Sequence, residues 1–201
     1  MTAAISASPG VIREGLDVPV MAKYMDAIHI MAYDYHGSWE KKADHHASLY
    51  PRSWDRDLNC DSTVKTLMQL GAPASKLVLG IPTYGRSWTV TGSNMKPPVS
   101  ASGAGTRGPI TGEAGNLGYM EICMKVKNEG WKVVDDDNGP YAYGSGNQWV
   151  GYDTIKSVTK KAEYVKAKNL GGAMFWDLAT DDFNVSIYCT TKVFETKFTV
   201  T

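Results

Sequence analysis

Four short apolar runs decide what this chain can fold into: "TAAISAS" from Thr2, "DAIHIMAYD" from Asp26, "KLVLGIPTYG" from Lys76 and "GGAMFWDL" from Gly171. Each has strand length, and helical patterns separate them. Asp17 and Pro19 read as a helix start, with Val20 and Tyr24 on one face. Asp61 or Ser62 reads as the cap of a second helix carrying Val64, Leu67 and Met68, stopped by Gly71 and Pro73. Asp153 reads as the cap of a third, running to Leu170 and stopped by Gly171. Strands that alternate with helices form parallel βα units. In such folds the chemistry sits at the carboxyl edge of the sheet, and the last three runs end there in aromatic and polar residues.

Between about Arg86 and Val150 the alternation breaks. Turn signals crowd this segment ("TGSN", "KPP", "SGAG", "DNG", "GSGN"), with short segments such as "WKVVDD" and "PYAYG" between them. Asn138-Gly139 predicts a type I′ hairpin turn. One helix is expected, with Tyr119, Ile122, Cys123 and Val126 along one face. The expected division is therefore a parallel α/β unit made of residues 1–85 and 151–201, interrupted by an α+β insertion at 86–150.

The 21 basic and 21 acidic residues cancel, so nothing favours nucleic acid or an anionic membrane surface. No run is long or apolar enough to span a bilayer, and the N-terminus has no signal-peptide pattern. Six Trp and eleven Tyr against four Phe bias the chain toward aromatics with a polar handle, which suit binding surfaces as well as cores. Cys60, Cys123 and Cys189 lack zinc-site spacing. One disulfide with a free thiol, or three reduced thiols, both fit the count. His45 and His46 beside Asp44 do not predict a metal site, because adjacent loop histidines rarely converge on one ion. Asp135, Asp136 and Asp137 read as a solvated hairpin, without the spacing of a calcium loop. No metal or cofactor is expected. Asn184-Val185-Ser186 is a glycosylation sequon, relevant only in a secreted chain.

The segment "IHIMAYDYHGSW" places Tyr33, Asp34, Tyr35, His36 and Trp39 at one strand end. Together, "MAYDYHGSWE", "LGIPTYGRSW" and "GGAMFWDLATDDF" resemble, in order and spacing, the chitinases of glycoside hydrolase family 18. The resemblance covers nearly the whole chain. It implies a (β/α)8 TIM barrel with an α+β insertion, acting on β-1,4-linked N-acetylglucosamine polymers with retention. The nucleophile would be the substrate's own acetamide oxygen, a variant of the two-carboxylate scheme. By position, Tyr33 would donate to the acetamide carbonyl, and Asp34 would join the network around the catalytic acid. Trp176 would floor the reacting sugar and Trp39 would stack on its neighbour. Tyr84 and Arg86 would hydrogen-bond sugars, Glu113 would wall the groove, and Met31 and Met174 would pack beneath it. The bare chemistry agrees: a neutral polysaccharide suits aromatic platforms rimmed by carboxylate, phenol and guanidinium groups. The resemblance further implies a Cys123–Cys189 disulfide, a buried free thiol at Cys60 and an extracellular setting.

One departure outweighs these matches. The family signature D-x-x-D-x-D-x-E, whose Glu is the general acid, does not occur in this sequence. The chain is expected to be the second half of a catalytic domain: strands five to eight of a partial TIM barrel, plus the insertion. Loss of the acid term alone costs roughly two to four orders of magnitude in rate. A whole barrel needs about 250 residues, so the missing N-terminal half is an expected partner. The expectation is therefore a chitinase part with little or no activity alone. The alternative is a lectin-like protein that binds chitin or chitooligosaccharides without cleaving them.

Overall fold

The structure, a computed structural model, describes residues 1–136 and 138–182. The chain begins with β1 (Thr2–Ser6), α1 (Pro9–Gly15), α2 (Val18–Tyr24) and β2 (Ala27–Met31). After β3 (Lys42–Ala43) come α3 (Cys60–Gln69) and β4 (Leu77–Pro82). Strands β1, β2 and β4 then align in parallel with β11 (Gly172–Trp176), in the order β1-β2-β4-β11. Ala4 lies opposite His29, His29 opposite Val78, and Gly80 opposite Met174. All four carboxyl ends therefore emerge on one side. Ile5, Ile28, Ile30, Leu77 and Leu79 bury their side chains against Ile12 of α1 and Val64 and Leu67 of α3. Each such residue contributes about 1.5–3 kcal/mol relative to exposure, which is why the apolar runs outcompete their own turns for the sheet.

Between β4 and β11 runs an antiparallel unit. It comprises β5 (Tyr84–Val90), β6 (Val99–Ala104), β7 (Asn116–Gly118), α4 (Tyr119–Glu129), β8 (Lys132–Asp136), β9 (Gly139–Gly144) and β10 (Gln148–Gly151). The sheet order is β3-β6-β5-β10-β9-β8, with β7 on β5. Its core packs Trp88 edge-on to Trp149, with Tyr141 stacked on Trp149 at 5.3 Å. Helix α5 (Ile155–Ala167) then leads back to β11. The architecture is a partial (β/α)8 barrel with an α+β insertion.

Several local expectations shift. Asp17 caps α2 through the Val20 amide, but Val20 and Tyr24 face solvent, and the packed residues are Val18 and Met21. Helix α1, absent from the sequence reading, starts at Pro9 with no side-chain cap to announce it. Asn59 caps α3 by accepting from the Ser62 amide. Asp61, freed from that task, accepts from the Tyr164 hydroxyl at 2.9 Å. Thr154 caps α5, because Asp153 is committed to a buried ion pair with Lys161. The β8–β9 hairpin forms, but Gly139 already pairs with Asp136, so the turn closes one residue earlier than Asn138-Gly139 predicts. The acidic hairpin is solvated at Asp135, which pairs with exposed Lys156. Helix α4 buries Tyr119, Ile122 and Cys123, with Val126 partly covered, as expected. Cys60 is a free thiol with no exposure, and burial pushes its pKa up to about 11. Cys189 and the Asn184 sequon lie outside the described residues. No described helix is long and apolar enough to cross a membrane.

Candidate functional site

At the carboxyl edge of the parallel sheet, the ends of β2, β4 and β11 meet the first turn of the insertion. Asp34 follows β2 in a left-handed conformation (φ 58°), which Asp tolerates because its short polar chain bonds locally. That twist turns its carboxylate toward β5. The Tyr84 hydroxyl donates to Oδ1 at 2.8 Å. Arg86 donates through Nε to Oδ1 and through Nη2 to Oδ2, both at 2.7 Å. This two-point fork fixes the plane of the carboxylate as well as its position. Tyr84 and Arg86 can reach because only Thr83 separates the end of β4 from the start of β5, carrying the sheet edge straight into the insertion.

Burial works against the Asp34 charge, but hydrogen bonds from His46 and Arg86, and their charges, outweigh it and hold the carboxyl well below the usual range. Burial also acts against the Arg86 charge, yet its bonds and attraction to Asp34 raise its pKa. Burial and the neighbouring Asp34 and Asp177 charges push Tyr33 up to about 12. Burial, then Asp34, drives Tyr84 above the ordinary phenol range. At neutral pH Asp34 is therefore ionised, Arg86 charged, and the Tyr33 and Tyr84 phenols protonated. The Tyr33 ring meets Tyr84 edge-to-face at 6.0 Å, and Met31 and Met174 pack against this pair.

Two indoles stand beside these groups. Trp39 is 63% exposed and Trp176 56%. The Trp39 ring lies so close over Gly37 that a Cβ there would meet it at 2.1 Å. The Arg86 guanidinium carbon sits 5.7 Å from its centroid. The peptide after Trp176 is cis, and the Trp176 carbonyl accepts from the Thr83 amide at 2.9 Å. A groove of about 450 Å³ is lined by Met31, Tyr33, Asp34, Trp39 and Glu40 among others. Glu113 is exposed on the loop before β7, accepts from Asn116 at 3.1 Å, and adds its charge to the field at Arg86. The structure thus gathers Tyr33, Asp34, Tyr84, Arg86, Met31, Met174 and Trp39 around one centre, with Trp176 at the end of β11 and Glu113 on an outer loop.

Two contributors carried no sequence signal. His46 is 1% exposed, and its Nδ1 lies 3.4 Å from the Asp34 amide nitrogen and 3.5 Å from Oδ1. One ring nitrogen thus serves the backbone or the carboxylate according to tautomer, while burial lowers the imidazole's pKa. The adjacent His45 turns the other way, toward Tyr141 and Trp149. Gly80, in the middle of β4, makes room for the Tyr33 ring: a Cβ there would meet the Ile30 carbonyl at 2.3 Å and Tyr33 at 2.9 Å. Only the packed structure reveals either role, because each depends on a neighbour distant in sequence.

Known proteins share this chain's sequence pattern and fold. The family model described as glycosyl hydrolases family 18 matches residues 1–181. Probable chitinase 10 of Drosophila melanogaster is 42% identical over 189 residues, covering 91% of this chain and 8% of that protein. The crystal structure of Ostrinia furnacalis Group II chitinase catalytic domain 2 superposes with a TM-score of 0.91 at 41% identity, covering 96% of this chain and 51% of that one. Human YKL-39, described as a pseudo-chitinase with retained chitooligosaccharide binding, superposes with a TM-score of 0.87 at 40% identity, covering 94% and 53%. The chain thus spans about half the length of these solved relatives, and a small part of the fly protein.

Proposed function

Because the chain belongs to glycosyl hydrolases family 18, we propose that it forms the acetamide-holding side of a chitinase-type cleft for β-1,4-linked N-acetylglucosamine. The observation that carries this reading is Asp34, an ionised carboxylate fixed by Tyr84 and Arg86 beside the protonated Tyr33 phenol. Such a pair offers a donor and a fixed negative charge side by side. An acetamide carbonyl would accept from Tyr33, and the nitrogen's developing positive charge would be balanced by the nearby carboxylate. Trp176 and Trp39 offer flat faces for sugar rings, and Arg86 and Glu113 rim the groove. In this reading residues 1–85 and 151–201 are the barrel part, strands five to eight, and residues 86–150 the insertion. The general-acid Glu of D-x-x-D-x-D-x-E, absent from this sequence, would have to come from the other half of the barrel. The setting would be extracellular, with Cys123 paired to Cys189.

A second reading, a chitin-binding protein without hydrolysis, is favoured by the likeness to YKL-39. Both readings require binding, and turnover separates them. The 201-residue chain is expected to bind N-acetylglucosamine hexamer by titration calorimetry and to release no fluorophore from a chitobioside. Supplying the missing half-barrel with its Glu should restore turnover under the first reading and leave it absent under the second. Absence of binding would reject both.

A further inference from the structure

The segment between β2 and α3 holds a second exposed indole. Trp54 is 41% exposed, yet it is not loose. Its Nε1–H donates to Oδ2 of Asp44 at 2.8 Å, and the Arg52 guanidinium carbon lies 5.5 Å from its ring centroid. Asp44 and Arg52 are themselves buried and paired with each other. Residues 52 and 55 exchange backbone hydrogen bonds at 2.8 and 3.2 Å, so Trp54 sits on a closed turn. One edge and one face of the indole are thus fixed from within, and the rest is presented to solvent.

Trp39 is built the same way, with a guanidinium near its ring and a short turn beneath it. The two are joined by continuous contacts. Arg52 donates to Asp55 at 2.8 Å, and His36 bridges Asp55 and Glu40 at 2.8 Å each. The Glu40 amide closes the Gly37–Glu40 turn that carries Trp39. A single frame of ion pairs therefore sets the relation between the two platforms. Fixing two aromatic faces in advance removes the ordering cost that a polymer contacting both would otherwise incur.

We propose that Trp54 is a second stacking platform for the same polymer, taking the apolar face of a β-1,4-linked N-acetylglucosamine unit outside the Asp34 groove. This inference rests on the chitin-binding reading above. A pyranose with equatorial substituents offers a flat C–H face, which a pinned indole with one free face matches.

The test is depletion of the 201-residue chain onto chitin particles, for wild type, W54A, W54F and W39A, with urea unfolding of each. W54A is expected to weaken binding about two- to twelve-fold, and W54F, which keeps the flat face without the Nε1 donor, to stay within about twofold of wild type. W54A binding like wild type while W39A is weakened would overturn this inference alone. So would W54F falling as far as W54A, since that assigns Trp54 a structural role through Asp44. If wild type itself fails to bind chitin, the underlying reading falls and this inference with it.

Discussion

Replacing Asp34 with Asn removes one charge and leaves nearly the same shape. The left-handed backbone at this position adds no penalty, because Asn adopts it as readily as Asp. The Tyr84 hydroxyl keeps an acceptor at 2.8 Å. What is lost is the charge and one of the two guanidinium bonds at 2.7 Å, since the Asn Nδ2 that replaces one oxygen is a donor facing a donor. Bonds to a charged group contribute about 1.5–3 kcal/mol each when sheltered. The Asp34 side chain is 32% exposed and that of Arg86 19%, so water replaces part of that, and about 2 kcal/mol in all is expected. The folded-state pKa of Asp34 is depressed. Its stabilisation is therefore fully present above the unfolded value of about 4 and is lost as pH falls toward the folded-state value. Each pH unit below about 4 removes up to about 1.4 kcal/mol, so the gap should narrow steadily between about pH 4 and pH 2.5. Urea unfolding of wild type and D34N, in steps from about pH 7 to pH 2.5, reads this directly. A gap under about 0.5 kcal/mol at neutral pH, or one that stays constant to the lowest pH, would refute the assignment of Asp34 as a held carboxylate.

Two further outcomes follow from packing. G80A drives a Cβ to 2.3 Å from the Ile30 carbonyl and 2.9 Å from the Tyr33 ring; a loss of about 1–3 kcal/mol is expected, with a changed near-UV signal from Tyr33, and unchanged stability would contradict the crowding. Cys60 has no exposure and its pKa is pushed up to about 11, so a thiol reagent at mildly alkaline pH should label it only in denaturant. Labelling of the native chain at the rate of a free thiol would show that this core opens.

The strand ends were legible because two signals coincide there: a run of apolar residues buried on the sheet, then acid and aromatic side chains with no use in a core. Tyr33, Asp34, Tyr84 and Arg86 come from two such ends and do converge. The caps were less legible. Asp61 and Asp153 are good capping residues by type, but Tyr164 and Lys161 recruit them to long-range bonds, and Asn59 and Thr154 cap instead. Choosing among adjacent Asn, Asp and Thr requires knowing which one the rest of the fold needs. The insertion's helix was legible, but its antiparallel sheet was visible only as turns and short segments. Its sheet recruits Lys42–Ala43 from the loop after β2, far from the β6 residues they pair with. His46 was weighed only as a metal ligand, and its contact with Asp34 depends on how that loop folds back over the strand end.

That recruited loop changes what the insertion does for the site. Asp34 belongs to the barrel, but the groups that hold its carboxylate are Tyr84 and Arg86 on β5 and His46 on the loop whose β3 joins the insertion sheet. Strand β5 is in turn clamped by β6, β7 and β10. Loosening the insertion would therefore release Tyr84, Arg86 and His46 together, and Asp34 would lose the partners that keep it ionised and aimed. The insertion thereby sets the charge and direction of a carboxylate on a neighbouring element. A change deep in its core, at the Trp88–Trp149 pair, should for that reason raise the pKa of Asp34 without touching it.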